Sequence, residues 1–158
     1  MPYAVKQIII GIFFGGIAVL GTEYGVDVGG AAANARDSAP LCAGLIFGGP
    51  AGIIAGIIGG VERWFAVLWG VGAYSRVACS VSTALAGIYA ALLHKHMFDN
   101  KKPSWIIGLA IGVVMEVIHL TILFLTHLSD SETAFTIVKI VTEPMIIVNS
   151  VAVALSLI

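Results

Sequence analysis

Two arginines, Arg36 and Arg63, stand 27 residues apart in a chain of 158 residues that is 59% hydrophobic and only 11% charged. A guanidinium is a planar fork of donors that grips a carboxylate or a phosphate through two hydrogen bonds. Charge placed among apolar residues is expensive, so each arginine needs a counter-ion, a ligand, or both. Local pairing would join Arg36 to Asp37 or Asp27, and Arg63 to Glu62. The functional alternative is capture of an anion, with the Asn34 amide beside it. Arg76 reads as an interfacial arginine flanking a helix.

Other polar groups recur at helical spacing. In "CSVST", residues 79–83, Cys79 and Ser82 are three apart and share a helix face. Their thiol and hydroxyl can hydrogen-bond a ligand or bond back to their own helix. Glu116 and His119 are also three apart, and can form a proton-linked pocket element, a relay, or a structural pair. Glu143 precedes Pro144, and Asn149 follows further along. These two can line a cavity or join helices, with a kink expected at the proline.

The elements that position these groups are helices in a membrane. The mean hydropathy is +1.03, and a soluble domain carries about 25% charged residues. A spanning helix needs ~20 mostly apolar residues. Five stretches qualify, at about Ala4–Gly21, Ser38–Val61, Arg76–Leu93, Trp105–His127 and Phe135–Ile158. The expected fold is an all-α polytopic membrane bundle of about five spanning helices, with a re-entrant or broken segment around residues 25–50. Lys95, Lys101 and Lys102 crowd the loop after the third span, whereas Asp130 and Glu132 lie in the loop after the fourth. Cytoplasmic loops are enriched in Lys and Arg, which places the C-terminus inside. Five spans then put the N-terminus outside. The first apolar run lacks a clear cleavage site and reads as a mature helix.

Gly44, Gly48, Gly52, Gly56 and Gly60 recur at spacings of four. Small residues so spaced let helix backbones approach closely in lipid. The stripe winds slowly around the rod, so several neighbours can use it. Pro50 interrupts the pattern. An unbroken helix would hold Arg36 and Arg63 roughly 40 Å apart, so they can meet only if the chain departs from one rod. "GVDVGGAAANAR", residues 25–36, is the expected re-entrant piece.

The composition also excludes functions. Net charge is −1, which gives no footprint for nucleic acid. Cys42 and Cys79 lie in apolar runs and are not a disulfide framework. His94 and His96 sit in a basic loop. There is no HExxH, no CxxC and no phosphate-binding loop, so no metal and no cofactor are expected. No nucleophile stands near a base at recognisable spacing, and the chain reads as a non-enzyme.

"NAR" at 34–36, "GGPAGIIAGIIGGVER" at 48–63, "ACSVSTALAG" at 78–87 and "EPMIIVNS" at 143–150 resemble the five-transmembrane receptor domain of the LytS/YhcK type, over essentially the whole chain. The resemblance implies one sensory domain, residues 1–158, in a bacterial inner membrane. It implies a cytoplasmic output domain in the parent protein: a histidine kinase, diguanylate cyclase or phosphatase. Its partners would be a small anionic ligand, membrane lipid, that output domain and a second copy in a homodimer. Some such receptors respond to small carboxylates such as pyruvate. The family pattern then assigns the ligand contacts to Arg36, Arg63, Cys79 and Ser82. The stretch "WFAVLWGVGAYS" is longer than in the carboxylate-sensing kinases, a departure that bears on ligand identity. The apolar end at Ile158 reads as a cut before a cytoplasmic domain, and the family often has one more helix before the matched region. The competing reading is the substrate-binding membrane subunit of a vitamin-type importer, and the third is a purely structural membrane domain.

Overall fold

The computed structural model describes residues 1–28 and 30–158. Six α-helices follow one another: α1 (Tyr3–Glu23), α2 (Ser38–Phe47), α3 (Gly49–Ala66), α4 (Arg76–His96), α5 (Trp105–Leu125) and α6 (Ser131–Ser156). A short antiparallel hairpin, β1 (Val26–Val28) and β2 (Ala31–Ala33), links α1 to α2, with Val26 opposite Ala33. Helices α1, α4, α5 and α6 are long and apolar enough to cross a membrane. The all-α bundle and its break within residues 25–50 match the sequence reading.

The expected single span Ser38–Val61 is instead two helices folded back on each other. Gly48 has φ +122°, a conformation that only glycine adopts without strain. Pro50 then lies in the first turn of α3, where its missing N–H would have had no helical partner anyway. At ten residues, α2 is about 15 Å long, half the thickness of the hydrocarbon core. The reversal is sealed by Gln7 on α1. Its amide donates to Phe47 O at 2.6 Å and accepts from Ala51 N at 3.0 Å, so the backbone groups freed by the break are paired inside the protein.

The glycine ladder packs this reversal. A Cβ on Gly52 would lie 2.7 Å from the Gly44 Cα, so α2 and α3 touch backbone to backbone. Further along α3, a Cβ on Gly56 would meet Thr83 O at 2.9 Å and one on Gly60 would meet Ser80 O at 2.7 Å, both on α4. On another side of α3, Gly59 receives Ala18 of α1. The α3 part of the ladder therefore serves α2 and α4, while Gly59, outside it, serves α1.

Because the chain reverses at Gly48, six helices alternate in direction rather than five. Both termini lie at one end, together with Gly48 and the 97–104 turn. That corrects the expectation of termini on opposite sides. The other end gathers Glu23, Arg36, Arg63, Arg76 and the α5–α6 turn. The segment 25–36, expected to be re-entrant, forms the β-hairpin among its described residues, and Ala31 and Ala32 are buried. The expected kink at Pro144 does not interrupt α6, which is helical from Ser131 to Ser156.

A methyl group added where two backbones touch must push the helices apart. Gly52→Ala should lower the unfolding free energy by about 1–3 kcal/mol. Gly16→Ala, whose Cβ meets nothing within 4 Å, should be neutral or slightly stabilising. Thermal unfolding of the purified chain in nanodiscs compares the two.

Candidate functional site

Arg36 and Asp37 form the turn that enters α2, and both are buried, at 0% and 1% exposure. The local sequence makes this turn. Asn34 Oδ1 accepts from Arg36 N at 3.2 Å, while its amide donates to Ala32 O, a side-chain turn typical of asparagine. Helix α6 clamps the same segment from the far side. Asn149 Nδ2 donates to Asn34 O at 3.0 Å, and its Oδ1 accepts from Ser38 N at 3.0 Å.

Asp37 is the hub. Its Oδ1 accepts from Thr83 Oγ1 at 2.6 Å and lies 3.7 Å from Arg36 Nε. Its Oδ2 accepts from Ser82 Oγ at 2.7 Å and lies 3.0 Å from His119 Nδ1. Arg36 Nε donates to Thr83 Oγ1 at 2.7 Å, and Nη1 donates to Thr22 Oγ1 at 3.2 Å. One threonine hydroxyl thus accepts from the cation and donates to the anion. Glu116 Oε2 completes the group, 3.5 Å from His119 Nδ1. Cys79 is buried with a free thiol, beside His119 and Ser75. Ser82 lies six residues from the start of α4 and His119 six before the end of α5. The cluster is therefore roughly 9 Å inside the bundle.

Arg63 has a different environment. Its guanidinium donates to the carbonyls of Val71 (3.3 Å) and Gly72, and to Ser75 Oγ at 3.4 Å. Ser75 Oγ also accepts from Ala32 N, so one hydroxyl joins the 67–75 loop to the hairpin. Gly72 has φ +88°, and a Cβ there would collide with Arg63. Arg63 is fully buried, yet among the described residues no carboxylate lies within 4 Å of it. The expected local pair with Glu62 is therefore absent there. The Glu62 carboxylate faces Thr22 instead, within electrostatic reach of both Arg36 and Arg63. Among the described residues, Arg36 Nη2, Arg63 Nε and both Glu62 oxygens are buried without a hydrogen-bond partner. A crevice of about 30 Å³ is lined by Thr22, Glu23, Ala66, Gly70 and Val71, of which Thr22 accepts from Arg36 and Val71 from Arg63.

The predicted residues separate into three places. Arg36, Cys79, Ser82, Glu116 and His119 gather around Asp37. Arg63 stands under the 67–75 loop and is linked to that group through Thr22 and Glu62. Asn34 and Asn149 tie the hub to α6, and Asn34 also lines an apolar cleft of about 420 Å³ bounded by Pro144 and Met145. Glu143 belongs to none of these and is exposed on α6. Sequence reasoning treated Asp37 merely as a neighbour for Arg36 and passed over Thr22 and Ser75 altogether. The only available signal was an acid adjacent to an arginine between two apolar runs. Asp37, Glu116 and His119 bring ligand atoms within 4.8 Å of one another, a donor set that a divalent cation accepts. Asp37, however, already accepts from two hydroxyls and lies 3.0 Å from the His119 imidazole and 3.7 Å from the Arg36 guanidinium.

The chain matches the family model described as 5TMR of 5TMR-LYT over residues 3–158. It is 26% identical to the sensor histidine kinase BtsS of Escherichia coli over 148 residues, 91% of this chain and 25% of that protein. It is 28% identical to the sensor histidine kinase YpdA of the same organism, covering 82% of this chain and 22% of that protein. With the sensor protein LytS of Staphylococcus epidermidis it shares 34% identity, over 79% of this chain and 20% of that protein. The chain therefore spans a quarter or less of these relatives' length. No solved structure matches it.

Removing the hub's charge leaves a buried cation without its counter-ion. Asp37→Asn should cost about 3–5 kcal/mol of stability. Ser82→Ala removes one hydrogen bond to a charged group and should cost about 1.5–3 kcal/mol. Thermal unfolding of both variants in nanodiscs orders them.

Proposed function

Since the chain belongs to the 5TMR-LYT family and is a membrane sensory domain of a signal-transduction receptor, we propose that it senses a small anionic metabolite, of the carboxylate class that includes pyruvate, through Arg63 and Arg36. The observation that carries this reading is the buried Arg63 guanidinium with no carboxylate within 4 Å among the described residues. A buried charge held only by neutral groups is incompletely compensated, and an anion supplies what is missing. Arg36 Nη2 offers a second buried N–H at the same end of the bundle. The 30 Å³ crevice favours a small guest and requires the 67–75 loop to give way. A carboxylate on Arg63 would take over the donors now spent on Val71 O and Gly72 O, and so release that loop. Cys79 and Ser82 belong to the Asp37 hub and back Arg36 rather than Arg63.

The route to an output domain runs through Asn149. Its two hydrogen bonds to Asn34 and Ser38 join the Arg36 turn to α6, whose last residues lie at the opposite end of the bundle. Lys95, Lys101 and Lys102 mark that end as cytoplasmic, so the whole of residues 1–158 acts as one sensory unit with its C-terminal helix leading inward. A ligand shifts this bundle only by binding two packings unequally, and the exchange of loop carbonyls for ligand oxygens is such a difference. Among the functions considered, the sensor relatives favour this one over an importer subunit.

The test is a thermal-shift titration of the chain in nanodiscs against pyruvate and other small carboxylates. Ligand at a hundredfold excess over its dissociation constant stabilises by about 2.7 kcal/mol. Arg63→Gln should abolish the shift, and Arg63→Lys, which keeps the charge but not the fork, should weaken it. Equal shifts in the native chain and Arg63→Gln would overturn the assignment.

A further inference from the structure

Glu143 lies 12 residues after the start of α6 and 13 before its end, about 18 Å from either. It is exposed, as are Glu132, Thr136 and Lys139. At ~100° per residue these four side chains fall within an arc of roughly 60°, one polar stripe on the outer face of α6. Among the described residues, every other exposed charged side chain lies in a loop, in the β1–β2 hairpin, or in the first or last turn of a helix. A carboxylate in hydrocarbon is costly and marks a partner or a water-filled path. Lys139 has a long stem and can reach toward the interface, but the shorter Glu143 starts from the middle of the helix. The two do not satisfy each other within α6. No ion pair joins them within 4 Å among the described residues, and lysine four residues before glutamate is the weaker of the two orders.

We propose that this face of α6 is the contact with a second copy of the chain, held by two reciprocal Lys139–Glu143 ion pairs across a two-fold axis. The membrane itself fixes the geometry. Two copies inserted in the same sense can be related only by an axis along the membrane normal, so the paired α6 helices run parallel with equal residue numbers at equal depth. Lys139 of one copy then faces Glu143 of the other across a rise of about 6 Å, one helical turn, within reach of a lysine side chain. Opposite charges one turn apart on one face are self-complementary under this operation, and a second copy carries the matching pair by construction. Thr136 continues the seam above. None of these side chains belongs to the Asp37 hub or to the Arg63 site, so the contact stands or falls apart from the ligand reading.

Charge reversal separates a contact between copies from one within a helix. Copies carrying donor or acceptor fluorophores are mixed in liposomes, and energy transfer measures association. The native chain and the double variant K139E/E143K should both associate. K139E alone and E143K alone should each associate about tenfold more weakly. A mixture of K139E copies with E143K copies should regain native association, because only that mixed pair places unlike charges opposite. This recovery also shows that both single variants are folded. A native chain that stays monomeric would overturn the proposal and assign the stripe to another segment of a longer protein. Association indifferent to the substitutions, or a mixture no stronger than its components, would overturn it as well.

Discussion

Everything at the functional end of this molecule is arranged around a guanidinium and a carboxylate on adjacent residues, buried together in an apolar bundle. Neither Arg36 nor Asp37 could be left there alone. Desolvating a charge costs more than any single contact returns, and the pair persists only because both carboxylate oxygens are engaged. The hydroxyl donors come from α4 (Ser82, Thr83), the His119 imidazole of α5 lies 3.0 Å from the carboxylate, and α1 (Thr22) receives the cation. One ion pair therefore fixes the relative positions of four helices. The threonine bridge between the charges is efficient, since a hydroxyl can accept and donate at once.

Arg63 reaches the same end of the bundle as that pair because the chain turns back at Gly48. A straight helix from residue 38 to residue 61 would have carried Arg63 to the opposite surface. The reversal returns it to the end where Arg36 enters, and the glycine ladder makes the reversal compact enough to fit between α1 and α4. Backbone conformation at one glycine thus decides the electrostatics of the whole site. The two arginines then play unlike parts. Arg36 is balanced by a carboxylate and holds helices together. Arg63 is held by backbone carbonyls of a loop, bonds that a stronger acceptor can replace.

Helix α6 faces both systems. Its inner surface, through Asn149, grips the turn that carries Arg36. Its outer surface carries the charged stripe. A helix clamped to the hub on one side and, as proposed, paired with its copy on the other would couple a change at the site to the arrangement of two chains without any further moving part.

The sequence by itself determined that this is an all-α membrane bundle, because apolar runs of spanning length leave the backbone no other way to satisfy its hydrogen bonds in lipid. It also marked the residues of consequence, since charges amid apolar residues are conspicuous: Arg36, Arg63, Glu116 and His119 were legible from placement alone. The depth of Glu143 was legible too, though not the face on which it lies. What the sequence could not determine was which of these groups meet. The hydrophobic pattern is continuous across Gly48, so one long span and two folded-back helices read alike, and the count of helices and the sides of the termini went with that ambiguity. Asp37 as the hub, with Ser82, Thr83 and His119 converging on it from 45 or more residues away, is a property of tertiary packing. Hydrogen-bond partners of a buried carboxylate are chosen by which helix faces end up opposed, and no local spacing encodes that choice.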